Sequence, residues 1–387
     1  MPVPLLDISR QHAAVLDELK AVLEEALSSS RFIKGPMLDD FERGFASYCG
    51  TSRAVGCASG TDALILSLQA CGTGPGDEVI TVPFTFFATA GAISRCGARP
   101  VFVDILPDTF NMCPSALRGW LEANCIRTDQ GTVDRRTGAR VSAFIPVDLF
   151  GQVADMDALE AVAADWELAL IEDACQAVGA TWKGRRAGGF GRAGCFSFFP
   201  SKNLGALGDG GAVTTSDAAL ADRLVRLREH GGQGYLHDEV GTNSRMDAIQ
   251  AGFLSVKLRR LDAWHEGRRR NAAWYDQALA DVPEISIPVI DPSAVSIYNQ
   301  YTIRARERDG LMAHLRDRGI GCAVYYPLPL HLQKCFSSLG YEEGDMPVSE
   351  KASREVLSLP IFGELTEAEL EEVVRSVKDF YRTRGRA

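Results

Sequence analysis

Short apolar runs alternate with helical patterns over the first 250 residues. The apolar runs predict strands at 54–59, 78–82, 101–104, 143–150 and 168–173. Segments between them, such as GTDALILSLQACG and DMDALEAVAADW, place apolar residues at helical spacing. Alternation of this kind is typical of βαβ units. It therefore predicts an α/β fold whose mainly parallel sheet is covered by helices on both faces.

The pattern changes near residue 250. A long helical pattern, which can bend, runs from Arg245 to Ala280, and the proline-rich segment PEISIPVIDP follows it. Beyond that segment the pattern predicts a strand at 296–305, a helix at 310–319, a strand at 322–328 and an amphipathic helix at 366–383. We therefore predict a large domain at 1–250, and a linking helix with a smaller C-terminal α+β domain at 251–387. The polar segment at 125–142 predicts an exposed hairpin or loop.

Composition narrows the functional classes. The chain has 387 residues, of which 46% are hydrophobic and 24% charged, as in ordinary globular proteins. A net charge of −10 argues against broad binding to nucleic-acid backbones. No apolar stretch is long enough to cross a bilayer and no secretory signal is present, so we expect a cytoplasmic protein without a membrane partner. The ten cysteines form no CxxC pair and the six histidines are dispersed, which favours free thiols and no metal site.

One lysine lies in an unusual sequence environment. Lys202 is part of SFFPSKNLGALGDGGAV, between an aromatic, strand-like run and a series of glycines. Most lysines are solvated surface charges, but this pattern predicts a chain that enters the protein, presents one amine and turns out again. Burial lowers the pKa of an amine and makes it a nucleophile towards carbonyl compounds.

Two further motifs lie where strands are predicted to end. SGTDAL, at 59–64, joins a strand to a helix, so Gly60, Thr61 and free helix N–H groups can cradle a phosphate. A simple helix N-cap explains the motif as well. In IEDACQ, Asp173 ends an apolar strand, where an acid needs a partner such as a metal, an arginine or a protonated ring nitrogen. It can equally cap the following segment, and Gln176, one helical turn later, can reach the same ligand.

Aromatic and polar residues complete the candidate set. Phe86 can stack on a flat ring or pack in the core, and Ser197 can donate to a phosphate. Asn243 and Arg245, in GTNSRMD, can contact an anion or form a loop and helix cap. Together, a lysine that can form a Schiff base, an acid at a strand end, an aromatic ring and a phosphate cradle are what pyridoxal 5′-phosphate requires.

In order along the chain, these motifs resemble the DegT/DnrJ/StrS-type sugar aminotransferases, which belong to the fold-type-I enzymes that use pyridoxal 5′-phosphate. The resemblance covers nearly the whole chain and rests on GPMLDDFE, SGTDALILSLQACGTGPGDEVITVPFTFFATA, IPVDLFGQVADMDAL, IEDACQAVGA, CFSFFPSKNLGALGDGGAV, GTNSRMDAIQA, YYPLPLHLQ and VLSLP. Two departures are Cys175, where the family often has alanine, and the segment 125–142, which is longer than the commonest pattern. A dehydrating branch of the family has histidine in place of the lysine, and Lys202 argues against that branch.

The resemblance implies a role for each residue that faces the cofactor ring. Lys202 would hold the cofactor as a Schiff base and act as the acid and base of the proton shift. Asp173 would pair with the pyridine nitrogen. Gln176 would contact the hydroxyl side of the ring, and Phe86 would stack on the ring.

The resemblance also implies contacts to the phosphate and to the substrate. The cofactor phosphate would be held by Gly60, Thr61 and Ser197. Asn243 would reach the phosphate in the neighbouring subunit, which implies a homodimer with shared active sites. The implied substrate contacts are Arg245, Tyr325 and His331.

The implied activity is transfer of an amino group from an amino acid, L-glutamate by resemblance, to a keto sugar carried on a nucleotide diphosphate. EDACQ and YYPLPLHLQ resemble the members that aminate C3 more than those that aminate C4. Three alternatives remain open at this point: amination at C4, a regulator that keeps the fold without turnover, and a Rossmann-type oxidoreductase suggested by GALGDGGA. The last of these lacks the GxGxxG order and a helix directly behind the glycines.

Overall fold

Strands and helices alternate in the order that the hydrophobic pattern predicts. The computed structural model describes residues 1–129 and 131–384. Its strands are β1 (Arg53–Cys57), β2 (Glu78–Thr81), β3 (Arg99–Phe102), β4 (Cys125–Thr128), β5 (Gly131–Asp134), β6 (Val141–Ile145), β7 (Ala169–Asp173), β8 (Thr181–Trp182), β9 (Arg185–Arg186), β10 (Ala193–Ser197), β11 (Gly211–Thr215), β12 (Gly232–Gln233), β13 (Leu236–His237), β14 (Ile285–Ser286), β15 (Ala294–Val295), β16 (Tyr301–Ala305) and β17 (Val356–Leu359).

Its helices are α1 (Ile8–Ala13), α2 (Leu16–Ser29), α3 (Pro36–Cys49), α4 (Gly60–Ala70), α5 (Ala88–Arg95), α6 (Pro114–Asn124), α7 (Met156–Trp166), α8 (Ala218–Leu227), α9 (Ala248–Leu258), α10 (Leu261–Leu279), α11 (Arg308–Asp317), α12 (Pro347–Glu355) and α13 (Glu367–Arg384). Short 3₁₀ turns lie at Leu149–Gly151, Leu330–Leu332 and Lys334–Leu339.

The central sheet is mainly parallel. Its strands lie in the order β1-β11-β10-β7-β6-β2-β3. The five strands from β10 to β3 run parallel to one another, and β11 runs antiparallel to both of its neighbours. Parallel strands need crossover connections, which the intervening helices supply. The predicted sheet type is therefore confirmed.

Both faces of this sheet are buried by helices. Ile80 and Phe144 enter a core that also contains residues of α3, α6 and α7. Their neighbours Val79 and Ile145 enter a second core, which contains residues of α4, α5 and α8. Successive side chains of a strand point to opposite faces, so strands buried on both sides become continuous apolar runs. This explains why the runs in the sequence show no polar alternation.

A separate core forms in the C-terminal part of the chain. Tyr275 of α10, Leu311 of α11, Leu357 of β17 and Val377 of α13 share it, together with Val3 from the N-terminus. The strands β14, β16 and β17 form an antiparallel sheet beside these helices. The predicted long helix is two helices, α9 and α10, separated by a break at 259–260. The smaller α+β unit is thus present, and the boundary at 250–251 stays a prediction.

The predicted strand at 322–328 is wrong. In this segment Ala323 makes only an isolated bridge to Ser358, and β17 takes the place beside β16. Pro327 and Pro329 lack the N–H groups that a ladder of hydrogen bonds needs. The predicted hairpin at 125–142 is confirmed as β4 and β5, which pair antiparallel. Gln130 lies outside the described residues.

In residues 1–129 and 131–384, no helix combines the length and the apolar character that crossing a bilayer needs. The same residues contain no group of three or more histidine, cysteine or acidic side chains arranged to hold a metal ion.

Candidate active site

Residues at strand ends line one cleft of about 560 Å³. Ligands of open parallel sheets gather at the carboxyl ends of the strands, where β7 and β10 end here. The cleft contains eight of the residues singled out in the sequence: Gly60, Thr61, Phe86, Asp173, Gln176, Ser197, Lys202 and Tyr325. It also contains residues that the sequence analysis missed, among them Thr85, Thr89, Phe199, Asp209, Gln300 and Tyr326.

Lys202 lies in a tight turn after β10. Its N–H donates to the Phe199 carbonyl at 2.8 Å. The turn needs glycine at 205, because a Cβ there would lie 2.3 Å from the carbonyl oxygen of Pro200. The side chain is partly buried, and this burial lowers the pKa of the Lys202 amine. A larger fraction of the amine is therefore neutral and nucleophilic near neutral pH than for an exposed lysine.

Asp173 is buried at the end of β7, with only 4% of its surface exposed. The hydroxyl of Thr89 donates to its Oδ2 at 2.8 Å, and the N–H of Cys175 donates to its Oδ1 at 3.2 Å. These two donors satisfy one lone pair on each oxygen and orient the carboxylate. The remaining lone pairs can accept from a cationic ring N–H, which is the partner that a buried acid needs.

Gln176 is held between the Phe150 backbone and the Tyr326 hydroxyl rather than free in the cleft. Its Oε1 accepts from the Phe150 N–H at 2.9 Å, and its Nε2 donates to the Tyr326 hydroxyl at 2.9 Å. Burial raises the pKa of Tyr326, so the hydroxyl keeps its proton and can donate it to a ligand. The pair Gln176 and Tyr326 thus presents one fixed hydroxyl to the cleft.

The N-terminus of α4 forms the opposite wall. Ser59 caps this helix by accepting from the Asp62 N–H at 3.1 Å. A Cβ at Gly60 would lie 2.6 Å from Ser197 Cβ and 2.9 Å from Cys175 Sγ, so only glycine lets the two walls meet. Free N–H groups in the first turn, the Thr61 side chain and the Ser197 hydroxyl are the donors that a phosphate binds.

Two aromatic side chains stand at the mouth of the cleft. Phe86 exposes 58% of its surface and Phe199 exposes 53%. Two exposed aromatic rings beside one cleft form an apolar surface of the kind that contacts a ligand or a partner. The Phe86 ring lies 6.4 Å from the ring of Tyr326, centroid to centroid. Phe86 can therefore cover a planar ring that enters between α4 and the Tyr326 segment.

Three of the residues singled out in the sequence do not line this cleft. Asn243 is exposed, and Arg245 is half-buried with its Nε buried and without a partner in the described chain. His331 is buried, and its Nε2 lies 3.1 Å from Glu350 Oε1. The substrate contact of His331 and the partner-subunit contact of Asn243 stay predictions.

Two buried carboxyl groups lie directly behind Asp173. Glu172 accepts hydrogen bonds from two backbone N–H groups, at 2.8 and 3.1 Å. The Asp148 N–H donates to the Asp173 carbonyl at 3.1 Å, while its Oδ2 is buried without a donor. Burial raises the pKa of Asp148 well above its usual range, and it raises that of Glu172 to about 7. Since both pKa values are raised and Asp148 Oδ2 has no donor of its own, we infer that a proton on Asp148 is shared with Glu172.

We expect the free energy of unfolding to fall less steeply with rising pH in Asp148→Asn than in the wild type. The raised pKa values mean that the folded protein keeps a proton that the unfolded chain releases above about pH 4. The stabilisation that this proton gives is fully present below the pKa of the group in the unfolded chain. It is lost as the pH rises through the pKa in the folded protein, which for Glu172 is about 7. Asparagine keeps a donor to Glu172 but cannot ionise. Urea unfolding should show the wild type losing up to about 1.4 kcal/mol more per pH unit than the variant. Parallel pH dependences would contradict the shared proton.

A lysine with a lowered pKa, an oriented carboxylate and a helix N-terminus around one cleft match the parts of a ring-shaped carbonyl cofactor with a phosphate. The sequence model of the DegT/DnrJ/EryC1/StrS aminotransferase family matches residues 14–378. The chain belongs to this family. Membership confirms the predicted family, enzyme class and cofactor, pyridoxal 5′-phosphate.

Two curated relatives cover the whole length. The chain is 47% identical to a protein of Geobacillus stearothermophilus named "Pleiotropic regulatory protein", over 99% of each chain. It is 40% identical to the dTDP-3-amino-3,4,6-trideoxy-alpha-D-glucose transaminase of Streptomyces venezuelae, over 98% of this chain and 96% of that protein.

Two solved structures share the fold. The crystal structure of S. venezuelae DesV superposes with a TM-score of 0.92 at 40% identity, covering 98% of this chain and 99% of that one. The structure of NtdA from Bacillus subtilis, with bound cofactor PMP, gives a TM-score of 0.88 at 28% identity, covering 98% of this chain and 85% of that one. The predicted fold class is confirmed.

The residues present fit pyridoxal 5′-phosphate. The cleft of about 560 Å³ lies within the usual range for small-molecule sites. The amine of Lys202 could receive the aldehyde, and the buried carboxylate of Asp173 could pair with a ring nitrogen. The close approach at Gly60 leaves the N–H groups of α4 open to a phosphate. Each part of the cofactor thus has a matching group in one cleft.

Proposed function

We propose that the enzyme transfers an amino group from an amino acid, L-glutamate, to C3 of a keto sugar carried on a nucleotide diphosphate. The observation that carries this proposal is the meeting of Lys202 and Asp173 in one cleft, in a chain similar to a transaminase of a dTDP-3-amino sugar over nearly its full length. When bound, pyridoxal 5′-phosphate supplies an electron sink that stores and releases the amino group. The protein's task is to bind, orient and move protons.

Lys202 is proposed to hold the cofactor and to carry the proton between the reacting carbon of the substrate and the cofactor. Burial lowers its pKa, so a larger fraction of its amine is neutral and able to accept a proton than for an exposed lysine. The turn closed by Gly205 fixes where the amine lies. Asp173, oriented by Thr89, is proposed to keep the ring nitrogen protonated through a charge-assisted hydrogen bond.

The other cleft residues are proposed to fix the ring and its phosphate. Phe86 would stack on the ring, and Gln176 would act on its hydroxyl side together with the Tyr326 hydroxyl. The phosphate would be bound by Gly60, Thr61 and Ser197. Tyr325 is proposed to contact the sugar, because it lines the same cleft.

We further propose a homodimer whose sites are shared. The cleft of one chain contains a single basic side chain, Lys202, among its lining residues. The substrates, however, bring a diphosphate and carboxylates. Asn243 and Arg245 offer polar and cationic groups outside that cleft. Exposed Phe32 (46%) and Ile33 (50%) lie beside them, because Ile33 bridges Asp247. An apolar patch next to unpaired polar groups supports a partner surface at this position.

Mixing two inactive variants should restore activity if the sites are shared. Lys202→Ala lacks the amine, and Asn243→Ala lacks the group proposed to serve the partner's phosphate. A mixed dimer contains one site in which both residues are native, so about a quarter of wild-type activity is expected from an equal mixture at full exchange. Subunit exchange is followed by native mass spectrometry. A monomer by light scattering, or no recovery despite exchange, would rule out shared sites.

The carbon that receives the amine is tested by single turnover. Enzyme loaded with the amino group from L-glutamate and freed of donor is mixed with matched 3-keto and 4-keto nucleotide sugars. We expect faster discharge with the 3-keto compound, and NMR should place the new amine on C3. Faster discharge with the 4-keto compound, with the amine on C4, would overturn the C3 assignment and leave the aminotransferase intact.

A second candidate function is a regulator that binds the cofactor without turnover. The name of the Geobacillus relative favours it. The discriminating observation is the first half-reaction, in which an amino acid converts the bound cofactor. If a panel of amino acids leaves the visible absorbance unchanged while cofactor is bound, the regulator is favoured.

We infer a cytoplasmic location. All ten cysteines are free thiols, and most of them are buried. Reduced thiols are the usual state in a reducing compartment.

A further inference from the structure

One helix holds the backbone that follows Lys202 at two points. Gln250 of α9 accepts from the Leu207 N–H at 2.8 Å and donates to the Leu207 carbonyl at 3.1 Å. Two turns further along the same helix, Lys257 Nζ donates to the Gly205 carbonyl at 2.6 Å. The chain on either side of residue 206 is therefore tied to α9.

A lysine is unusual at position 257, because the site is fully buried. Its side chain is completely buried, and no ion pair of Lys257 occurs in residues 1–129 and 131–384. A buried ammonium without a carboxylate is costly, and burial lowers the pKa of Lys257 to about 8. Its helix neighbours Leu254 and Val256 are buried apolar residues. An apolar side chain would satisfy packing at 257 equally well, so the amine has a different use.

The Lys257 amine also contacts α1, the first helix of the chain. Lys257 Nζ lies 2.8 Å from His12 Nε2, and the adjacent Gln11 donates to the Asn203 carbonyl at 3.4 Å. On its other side, Arg10 of this helix donates to both carboxylate oxygens of Glu369 in α13, at 2.5 and 2.8 Å. The segment α1 thus bridges the C-terminal unit and the turn that carries Lys202.

We propose that Lys257 is a positioning residue for Lys202, acting through the Gly205 carbonyl and braced by His12. The proposal rests on the proposed role of Lys202 as the lysine that holds the cofactor. Only two residues separate Lys202 from Gly205, and the turn between them is tight. A shift of the Gly205 carbonyl is therefore passed on to the Lys202 backbone. Small displacements of a reacting group cost large factors in rate.

Lys257→Met tests this assignment, because methionine matches the length of the lysine stem and removes its donors. The variant should bind a full complement of cofactor. The visible circular dichroism of the bound cofactor, which reports its orientation, should fall to about half. We expect kcat to fall about tenfold with the KM for the sugar nearly unchanged, because Lys257 does not line the cleft. Lys257→Arg keeps donors for Gly205 and His12 and should recover a large part of both signals.

Lys20→Met is the matched control, since Lys20 is exposed on α2 and forms an ion pair with Asp17 of the same helix. It should leave both signals as in the wild type. If Lys257→Met does not fold, His12→Asn removes only the contact between His12 and Lys257. It should lower the dichroism and kcat by a smaller factor. Normal dichroism and normal kcat in folded Lys257→Met, or in His12→Asn if only that variant folds, would overturn the inference. Borohydride labelling distinguishes a failure of this inference from a failure of the proposed function. A label on another lysine in the wild type overturns the role of Lys202 itself.

Discussion

Lys202→Ala is expected to abolish transamination while leaving the fold intact. The side chain is partly buried at the cleft, and its burial lowers the pKa of the amine. Removing it takes away the covalent attachment and the group that moves the proton. General acid–base catalysis alone contributes about 10²–10⁴-fold, so we expect a loss of at least about 10⁴-fold in kcat. Single-turnover absorbance with L-glutamate measures the remaining rate.

The attachment itself can be located. In the wild type, borohydride reduction followed by peptide mapping should find the cofactor on Lys202. The variant should keep cofactor only by reversible binding, through the groups around Gly60, and lose it on dialysis faster than the wild type. Lys183→Ala removes an exposed lysine elsewhere and serves as the control. A variant that retains covalent cofactor or substantial turnover would disprove the assignment of Lys202.

Asp173→Asn is expected to fold and bind cofactor but to lose at least about 10²-fold in kcat, as with other removed electrostatic stabilisers. The amide is isosteric: its oxygen can accept from the Cys175 N–H, and its NH2 group can donate to the Thr89 hydroxyl, so the side chain can keep its orientation. It has no charge, however, with which to keep a ring nitrogen protonated. A pH titration of the cofactor absorbance should show the change in the ring's protonation directly.

Asp165→Asn supplies the matched control, because Asp165 is exposed and paired with Arg118 on the surface. Its kcat should equal that of the wild type. If Asp173→Asn works at a near-normal rate with an unchanged cofactor spectrum, the carboxylate has a structural rather than an electronic role.

Much of the fold follows from local pattern. The parallel strands are apolar on both faces, so their runs are visible without knowledge of their partners. The strand predicted at 322–328 fails for the opposite reason. Its apolar and aromatic residues suit a ladder, but Tyr325 and Tyr326 turn into the cleft and β17 fills the place beside β16.

The residues of the candidate site also fall into two groups, those that the local sequence marks and those that it does not. Lys202 and Asp173 are visible in the sequence because a glycine run and a strand end mark them locally. Thr89 and Tyr326 are not, because they gain their roles from partners 84 and 150 residues away. His331 lies near Tyr325 in the sequence, yet the 3₁₀ turn Leu330–Leu332 carries it to Glu350. Proximity along the chain does not fix the direction of a side chain.

The bridge from α1 to the lysine turn has a consequence for how the protein matures during synthesis. The contact between His12 and Lys257 spans 245 residues, and the contact between Gln11 and Asn203 spans 192. The ribosome delivers the N-terminus first, and domains fold as they emerge. The sheet around β7 and β10 can therefore form while the turn after it still lacks its brace. Cofactor captured by such a nascent chain would be held in a loosely ordered pocket, and the pocket would reach its final rigidity only once α9 has left the exit tunnel.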